Sequence, residues 1–485
     1  MEIQNYVAGK WCDAISKKKL TRTNPANSDE VVGHYPASQA EDIKKAIENA
    51  HAAFIQWRKV PAPQRASFVG KAINILRDNA QKIAHDLTLE QGKPLKESIA
   101  EVNRGLEEME FFAGEARRIE GRWIPSARKG VVCYTTREPI GVICAVVPWN
   151  YPFIPAIRKI TPALIFGNTV VLKPASLTPF TSAHITRAFA DAGLPEGVLN
   201  LVIGSGSSIG REMVENPLVR GITFTGSTEI GNGIMQGASK HGAKLQLEMG
   251  GKNPAVVTET ADLKIAAAQI VARAMSCTGQ LCISISRVIV QESIYEKFCE
   301  LLRQKIAEIV VGPGMAQETA MGPLVSSEHL QNVLSYVQKG VDEGAKLAIG
   351  GKRLGGTKYD KGHFIEPTMF VDVQPNHTIA QEEIFGPVLS VIKYKDFGQA
   401  LEITNSVKYG LAACIYTNKV NEAMSFVAEA QAGMVQVNLP TYADAHAPFG
   451  GLKASGSGAH EVGYSCVDFC TDQKTVYIQS DPTNL

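Results

Sequence analysis

The sequence lacks the features that mark membrane, secreted and nucleic-acid-binding proteins. No segment approaches the run of about 18 apolar residues that spans a bilayer. The N-terminal stretch MEIQNYVAGKWCDAISKKKL has no basic leader followed by an apolar block. Lys and Arg number 49 and Asp and Glu 48, so the formal charge is +1 and no strong attraction for a polyanion is expected. We therefore expect no nucleic-acid partner, no membrane association and a cytoplasmic location.

Cysteine gives no sign of a disulfide framework or of a metal site. The chain has 9 cysteines, an odd number at scattered spacings, which favours reduced thiols. Cys277 and Cys282 have four residues between them, and neither a CxxC pair nor a neighbouring histidine cluster is present. This pattern disfavours zinc, and we predict that the protein holds no metal.

The chain does have the size and the patterning of a globular protein with more than one domain. At 485 residues it exceeds the length at which a single core stops growing. From Gly141 onward, short apolar runs that end in Gly or Pro alternate with helical segments, a pattern typical of βαβ units around a parallel sheet. A second alternating series begins after Gly251. The sequence therefore predicts an α/β fold with two such halves.

Amphipathic helices are predicted ahead of the first sheet. Apolar residues recur at helical spacing over AEDIKKAIENAHAAFIQW, which follows Ser38 as a candidate N-cap. The same spacing runs through RASFVGKAINILRDNAQKIAHDLTLEQGKP, which ends near Gly92 and Pro94. We interpret both segments as packing elements.

Three short runs at predicted strand ends carry polar residues where open α/β sheets bind their ligands. In PWNYP, Asn150 offers an amide N–H that can stabilise an oxyanion, with a turn around an aromatic anchor as the alternative. Lys173 in VVLKPASLTP can bind the sugar hydroxyls or phosphates of a nucleotide, or can face water. In FTGSTEIG, Gly226 and Ser227 precede a helix whose N-terminus favours phosphate.

A fourth pair of motifs joins an acidic residue to a cysteine. LEMGGKNP and TGQLC place Glu248 and Cys282 34 residues apart. Most buried cysteines are inert, so simple packing is the alternative interpretation of Cys282 when it is considered alone.

Together these motifs resemble the NAD(P)-dependent aldehyde dehydrogenase superfamily, and within it the semialdehyde dehydrogenases. PWNYP, KPASLTP, FTGSTEIG, LEMGGK, GQLC, EEIFGPV and PFGG occur in that family's order over essentially the whole chain. The resemblance implies an aldehyde dehydrogenase-like α/β fold with three parts. These are a doubly wound dinucleotide-binding domain at 1–120 and 141–247, an α/β catalytic domain at 248–440, and a small β oligomerisation element at 121–140 and 466–485.

The resemblance implies three catalytic roles. Cys282 matches the family's nucleophile, which leaves Cys277 as a bystander. The side-chain amide of Asn150 and the backbone N–H of Cys282 match the donors that stabilise the oxyanion after attack on the aldehyde. Glu248 matches the general base that activates water to release the carboxylic acid.

The resemblance also implies the residues that bind NAD or NADP. Lys173 matches the contact to the adenosine ribose, and Gly226 and Ser227 match the contacts to the pyrophosphate. Glu383 matches the contact to the nicotinamide ribose. Phe385 matches the aromatic that positions the nicotinamide ring, and Trp149 lines the same crevice. Members that use NAD alone usually carry Glu three residues after the lysine, where its charge repels a 2′-phosphate. Ser176 stands there in this chain, so NADP is not excluded.

Arg158 gives the main indication of the substrate. Semialdehyde and hydroxyaldehyde members of the family carry Arg at this position, where many members for uncharged aldehydes carry Trp. Its guanidinium would pair with a substrate carboxylate, with a surface acid as the alternative partner. We therefore expect a semialdehyde of a dicarboxylic acid, such as succinate semialdehyde or 2-oxoglutarate semialdehyde.

Two other activities stay open at this point. Ala443 stands where succinate semialdehyde enzymes carry Ser, which keeps small hydroxyaldehydes such as lactaldehyde as an alternative. Some relatives pass the acyl group to coenzyme A instead of water, although the presence of Glu248 favours hydrolysis. The β-rich segment GVVCYTTREPIG and the C-terminal KTVYIQ form the implied oligomerisation element, whose exposed edge predicts a homodimer or homotetramer.

Overall fold

Two large, mostly parallel β-sheets organise the chain in the computed structural model, which describes residues 1–479. The strands are β1 (Asn5–Val7), β2 (Lys10–Cys12), β3 (Lys19–Asn24), β4 (Asn27–Pro36), β5 (Trp123–Ile124), β6 (Val131–Pro139), β7 (Val142–Val146), β8 (Thr169–Lys173), β9 (Leu199–Leu201), β10 (Val219–Thr225), β11 (Lys244–Glu248), β12 (Asn253–Val257), β13 (Ile285–Gln291), β14 (Lys346–Ile349), β15 (Thr368–Val371), β16 (Val388–Tyr394), β17 (Tyr409–Gly410), β18 (Ala412–Tyr416), β19 (Met434–Val437), β20 (Leu452–Lys453), β21 (Gly456–Gly458) and β22 (Thr471–Gln479). The helices are α1 (Ala40–Trp57), α2 (Ala62–Asp78), α3 (Ala80–Gln91), α4 (Leu95–Glu115), α5 (Ile154–Ile165), α6 (Pro179–Asp191), α7 (Gly206–Glu215), α8 (Thr228–Ala238), α9 (Leu263–Met275), α10 (Tyr295–Ala307), α11 (Ser327–Asp342), α12 (Thr378–Gln381), α13 (Phe397–Asn405), α14 (Val420–Glu429) and α15 (Ser465–Cys470).

The first sheet has a doubly wound strand order, β2-β1-β9-β8-β7-β10-β11-β21. The strands from β9 to β11 pair in parallel, and α5, α6, α7 and α8 connect them along the chain. The chain moves from β7 to β8 and β9 on one side, then returns to the other side of β7 at β10. Ligands of open α/β sheets bind at the carboxyl ends of the strands beside such a reversal.

The carboxyl ends of four neighbouring strands carry predicted site residues. Strand β8 ends at Lys173, which pairs in register with Val146, the last residue of β7. Strand β11 ends at Glu248, which pairs with Thr225, the last residue of β10. The PWNYP segment follows β7, so Asn150 emerges at the same edge as Lys173 and Glu248.

The second sheet has the order β14-β15-β16-β13-β12-β18-β19, and all its pairs are parallel except β14 with β15. Its strands contribute to the site through the segments that precede them. Cys282 comes three residues before β13, and Phe385 comes three residues before β16. The amino edge of the second sheet therefore supplies the residues that complement the carboxyl edge of the first.

A smaller antiparallel sheet, β22-β6-β5, coincides with the predicted oligomerisation element. Strand β22 pairs with β6 from Thr471 opposite Pro139 to Gln479 opposite Val131. Large apolar side chains are exposed on this sheet, among them Trp123 on β5. Residues 480–485 of the predicted element lie outside the described residues.

Most predicted elements are confirmed, with two local corrections. Helix α1 covers the predicted stretch, but the prediction of Ser38 as its N-cap is wrong. Gln39 is the capping residue, and its backbone N–H donates to Asp42 at 2.8 Å. The hydroxyl of Ser38 instead pairs with the side chain of Asn5. The long second predicted segment is two helices, α2 and α3, which meet at Asn79.

The division into three domains stays a prediction, although the sheets follow its main outline. The first sheet ends at β11 and the second begins at β12, next to the predicted boundary. Strand β21 returns to pair with β11, so residues 456–458, which the division leaves unassigned, belong to the first sheet. Among the helices of the described residues, none has the length and apolar character that crossing a bilayer requires.

Candidate active site

A cavity of about 860 Å³ lies between the two sheet edges. Small-molecule and cofactor sites have volumes of roughly 300–1,000 Å³, so the cavity has the size of such a site. Nine of the eleven predicted site residues line it, namely Trp149, Asn150, Arg158, Lys173, Gly226, Ser227, Cys282, Glu383 and Phe385. Glu248 and Ser176 do not line it.

Cys282 reaches the cavity wall at the end of a tightly turned segment that follows α9. Cys277, Thr278 and Gly279 have φ values of 50°, 59° and 68°, in the left-handed region that residues other than glycine rarely adopt. A side chain at Gly279 has no space, because an added Cβ would lie 2.2 Å from the carbonyl oxygen of Gly386. Backbone strain of this kind is concentrated at functional sites and persists where the surroundings hold it.

The thiol of Cys282 is protonated at neutral pH in this environment. Burial, reinforced by Glu383, raises the pKa of Cys282 to about 12 against the opposing charge of Arg158. Cys282 is half-buried and forms no disulfide, whereas Cys277 is fully buried. Of the two neighbouring cysteines, Cys282 is therefore the one that is accessible from the cavity. Its thiol becomes a nucleophile only when a base removes its proton.

Asn150 is held against the segment that carries Cys282. Its Nδ2 donates to the carbonyl oxygen of Gln280 at 2.8 Å, and the residue is 5% exposed. A carboxamide nitrogen has two N–H groups, so one remains for an acceptor in the cavity. Within residues 1–479 the backbone N–H of Cys282 donates to no other backbone group. The two predicted oxyanion donors are thus both present in the same wall.

A buried ion pair supports the loop that carries Asn150, and sequence reasoning missed it. Lys93 Nζ donates to the carbonyl oxygen of Asn150 at 2.6 Å and to Glu101 Oε2 at 2.7 Å. The other oxygen of Glu101 accepts from the backbone N–H of Phe153 at 2.8 Å. The ammonium also lies 3.6 Å from the ring centroid of Tyr151. The only signal in the sequence was a lysine between Gly and Pro at a helix end.

Glu248 lies behind the cavity wall, fully buried. Its Oε2 has no hydrogen-bond partner within the described residues. Burial raises the pKa of Glu248 well above its ordinary value, and the nearby Glu461 raises it further. An added Cβ at Gly450 would lie 2.4 Å from the ring of His460 and 2.8 Å from Glu248 Oε1, so packing against both side chains requires glycine there. A carboxyl with a raised pKa and a free oxygen has the properties of a general base.

Arg158 lies in the cavity wall in a cluster of buried charges. Its Nε and Nη2 donate to the two oxygens of Glu108 at 3.0 and 2.7 Å, and its Nη1 lies 3.4 Å from Glu461 Oε2. Lys159 pairs with the other oxygen of Glu461. Arg158 is therefore paired with acids of the protein, as the alternative interpretation has it, but these acids are buried and do not lie at the surface. Three of its five N–H groups are engaged, and two remain.

Three residues that are predicted to bind the cofactor, Lys173, Gly226 and Ser227, line the cavity at the carboxyl edge of the first sheet. Ser227 is the N-cap of α8, and its hydroxyl accepts from the backbone N–H of Ile230. Lys173 is 7% exposed and, within residues 1–479, donates to one carbonyl, that of Pro174 at 3.0 Å, so most of its ammonium protons have no partner in that range. Burial lowers the pKa of Lys173 to about 8. An added Cβ at Gly226 would lie 2.5 Å from the ring of Phe224, so packing within the protein also requires this glycine.

Glu383, Phe385 and Trp149 also line the cavity. Glu383 Oε1 accepts from the backbone N–H of Gly251 at 2.9 Å, and burial raises the pKa of Glu383 to about 7. Phe385 has a φ of 56° and its ring meets Trp149 edge to face, with centroids 5.3 Å apart. His329 Nε2 lies 2.7 Å from the carbonyl oxygen of Phe385 and holds this strained residue in place.

The remaining candidates lie at the margin of the site. Ser176 lies in the loop after β8 and is half-buried, while its neighbour Ala175 lines the cavity. Ala443 lines the cavity, and its carbonyl oxygen accepts from Arg104 at 2.6 Å. In the part of the chain that the structure describes, no group of three or more His, Cys, Asp or Glu side chains is arranged to hold a metal ion.

Comparison with known proteins identifies the family. The model of the "Aldehyde dehydrogenase family" matches residues 11–476. The chain is 43% identical to an alpha-ketoglutaric semialdehyde dehydrogenase of Bacillus subtilis, with 98% of each sequence covered. It is 35% identical to an NADP+ succinate-semialdehyde dehydrogenase of Escherichia coli, with 96% of each covered.

A solved structure gives the same answer for the fold. The betaine aldehyde dehydrogenase of Staphylococcus aureus in complex with NAD+ superposes with a TM-score of 0.97 at 32% identity, covering 99% of this chain and 95% of that one. The chain therefore belongs to the aldehyde dehydrogenase family of oxidoreductases, which confirms the resemblance, the fold class and the class of enzyme that the sequence predicts.

Proposed function

We propose that the protein oxidises a carboxylate-bearing semialdehyde to the dicarboxylic acid, with NAD or NADP as the hydride acceptor. The observation that supports this most is that one cavity is lined by Cys282, Asn150, arginine and all the predicted cofactor residues except Ser176. The relatives named above act on semialdehydes of this class, succinate and 2-oxoglutarate semialdehyde.

The donors of the predicted cofactor residues fit a dinucleotide. The N-terminus of α8, capped by Ser227, offers backbone N–H groups and a favourable dipole to a pyrophosphate. Lys173 has unpaired ammonium protons for ribose hydroxyls, and Glu383 has one oxygen free of the bond to Gly251. When it is bound, the nicotinamide ring supplies the hydride acceptor for the oxidation.

The first step belongs to Cys282, Asn150 and a base. The Cys282 thiol transfers its proton to a base, and its sulfur then forms a bond to the carbonyl carbon of the aldehyde. The carbonyl oxygen gains the electron pair of the π bond and becomes an oxyanion. The free N–H of Asn150 and the backbone N–H of Cys282 donate to that oxyanion. Removal of a hydride from the carbon leaves a thioester on Cys282.

The second step belongs to Glu248. Its carboxylate accepts a proton from a water molecule, and the hydroxide attacks the thioester carbonyl. The carbon–sulfur bond breaks, the carboxylic acid leaves and Cys282 is restored. Burial raises the pKa of Glu248, which makes its carboxylate a stronger base than an ordinary glutamate. Hydrolysis by this residue is the reason for preferring water to coenzyme A as the acyl acceptor.

Arginine supplies the selectivity for a carboxylate in this proposal. The two N–H groups of Arg158 that Glu108 and Glu461 leave free can donate to the carboxylate of the substrate.

The exposed apolar side chains of the β22-β6-β5 sheet support a homodimer or homotetramer, because an open sheet edge is stabilised when a partner covers it.

A substrate panel tests the proposed function. The purified protein is assayed with succinate semialdehyde, 2-oxoglutarate semialdehyde, lactaldehyde and butanal, each with NAD+ and with NADP+, in the presence and absence of coenzyme A. We expect the highest kcat/KM for a semialdehyde and the same acid product with or without coenzyme A. A preference for lactaldehyde or butanal, or an acyl-coenzyme A product, would contradict the proposal.

A further inference from the structure

The arginines that line the cavity differ in how their charge is compensated. They are Arg104, Arg158 and Arg273. Arg158 is bound by two carboxylates, and Arg104 pairs with Glu107 at 3.1 Å. Within residues 1–479 the guanidinium of Arg273 has no ion-pair partner and donates no hydrogen bond. The backbone carbonyl oxygen of Arg273 accepts a hydrogen bond of 3.3 Å from the hydroxyl of Ser284, which lies outside the helix.

Arg273 lies near the end of α9, just before the segment that enters the site. It belongs to the last turn of α9, and Ser276, one turn later, is the C-cap of the helix. Both residues line the cavity, and the same segment continues to Cys282. A cation in the last turn of a helix is stabilised by the carbonyl end of the helix dipole. This stabilisation leaves the N–H groups of the guanidinium available for hydrogen bonds.

The charge of Arg273 acts on Glu97, but the two side chains form no ion pair at contact distance within the described residues. Glu97 lines the cavity, but its Oε2 accepts from the backbone N–H of Cys277 at 2.9 Å, and it forms no ion pair with Arg273 within the described residues. Burial raises the pKa of Glu97, with Lys93 and Arg273 among the charges that oppose the rise. Glu97 is therefore engaged by the segment that carries Cys282, and among the described residues its carboxylate forms no contact ion pair with Arg273.

The charge around Arg158 differs from that around Arg273. Glu108, Glu461, Arg158 and Lys159 form a cluster of two acids and two bases, whose net charge is zero. A carboxylate that approaches this cluster meets hydrogen-bond donors but no excess of positive charge. A carboxylate that approaches Arg273 meets a cation without an ion-pair partner among residues 1–479, with a planar set of donors, the geometry that binds carboxylates in two-point contacts.

We infer that Arg273, with the hydroxyl of Ser276 beside it, binds the carboxylate of the substrate and selects semialdehydes over neutral aldehydes. This inference rests on the proposed function and adds to it the residue that supplies the selecting charge. Arg158 contributes hydrogen bonds in the cavity wall, and Arg273 contributes the charge. Bound dicarboxylate products are expected to be held by the same guanidinium.

Charge-removing variants on one helix test the inference. Arg273→Met removes the charge and keeps most of the side chain, Arg273→Lys keeps the charge without the planar fork, and Lys264→Met removes an exposed charge from the first turn of the same helix. Each variant is assayed with succinate semialdehyde and with butanal, which has the same number of carbons. Inhibition by succinate is measured in parallel, and thermal unfolding and NADP+ binding report on the integrity of the fold.

The expected result is a change in selectivity. Arg273→Met lowers kcat/KM for succinate semialdehyde by about ten- to a hundredfold, the range of a lost hydrogen bond to a charged group, mainly through KM. The loss with butanal is far smaller, inhibition by succinate weakens in parallel, Arg273→Lys is intermediate, and Lys264→Met matches the unmodified protein.

Two outcomes separate this inference from the function on which it rests. If the unmodified protein does not prefer succinate semialdehyde to butanal, the proposed function fails and the inference fails with it. If the unmodified protein shows the preference and Arg273→Met keeps it, or loses both activities in the same proportion, the inference about Arg273 is wrong while the proposed function stands.

Discussion

The side-chain amide of Asn150 donates a hydrogen bond of 2.8 Å to the carbonyl oxygen of Gln280, two residues before Cys282 in the chain. Asn150 follows the first sheet and Cys282 precedes a strand of the second, so this bond joins the two halves at the site. The second N–H of the amide is left for an oxyanion. The catalytic proposal depends on this arrangement.

Replacement of Asn150 by Ala is expected to lower kcat about 10²- to 10³-fold, because one donor to the oxyanion is lost. KM for the aldehyde and the affinity for NADP+ should change little, since the amide acts mainly after attack. Steady-state kinetics and fluorescence titration of the cofactor measure the two effects. A full kcat in Asn150→Ala would show that the amide does not stabilise the transition state.

Glu248 should determine the pH dependence of thioester hydrolysis. Burial raises the pKa of Glu248, so its carboxyl keeps a proton at pH values where an ordinary glutamate is ionised. The ionised form is the base, and its fraction grows as the pH rises through the raised pKa, so turnover limited by hydrolysis should rise with pH. In Glu248→Gln we expect a burst of reduced cofactor followed by slow turnover without this pH dependence. A Gln variant with the unmodified pH profile and rate would refute this role.

Lys93→Met should destabilise the protein and disturb the loop of Asn150. The substitution leaves Glu101 buried without its ion-pair partner, and breaking a buried pair costs about 3–5 kcal/mol. A lower melting temperature is therefore expected, and the double variant Lys93→Met/Glu101→Gln should recover part of it. Thermal unfolding of the single and double variants measures the coupling. Unchanged stability in Lys93→Met would mean that the pair does not support the loop.

Ser176→Glu is expected to reduce the use of NADP+ selectively. A carboxylate three residues beyond Lys173 would repel a 2′-phosphate and accept a hydrogen bond from a 2′-hydroxyl. Ser176→Gln serves as a control of similar size without the charge. The ratio of kcat/KM for NADP+ to that for NAD+ should fall in the Glu variant and not in the Gln variant. Equal losses with both cofactors would place Ser176 away from the 2′-position.

The sequence was sufficient for those features that depend on local patterns. The apolar spacing of residues 40–57 predicts α1, and the alternation of short apolar runs with helical segments predicts strands of both sheets. The motif around Cys282 identifies the cysteine that lines the cavity. These predictions succeed because the relevant physics, periodicity and strand-end position, is contained in neighbouring residues.

The features that sequence reasoning missed depend on contacts between distant residues. Lys93 reaches Asn150 across 57 positions, and Glu461 meets Arg158 across 303. No local sequence pattern predicts such a pair, because each residue by itself resembles an ordinary charged residue of the protein surface. The same holds for Arg273, whose importance comes from the absence of a partner among the described residues.

Acylation of Cys282 is the most direct test of the mechanism. Glu248→Gln is mixed with succinate semialdehyde and NADP+, quenched in acid and digested, and the peptide that contains Cys277 and Cys282 is analysed by mass spectrometry. The account predicts a succinyl thioester on Cys282, none on Cys277, and none in the double variant Cys282→Ala/Glu248→Gln. Oxidation of the aldehyde by Cys282→Ala at the unmodified rate, or an acyl group on another residue, would contradict it.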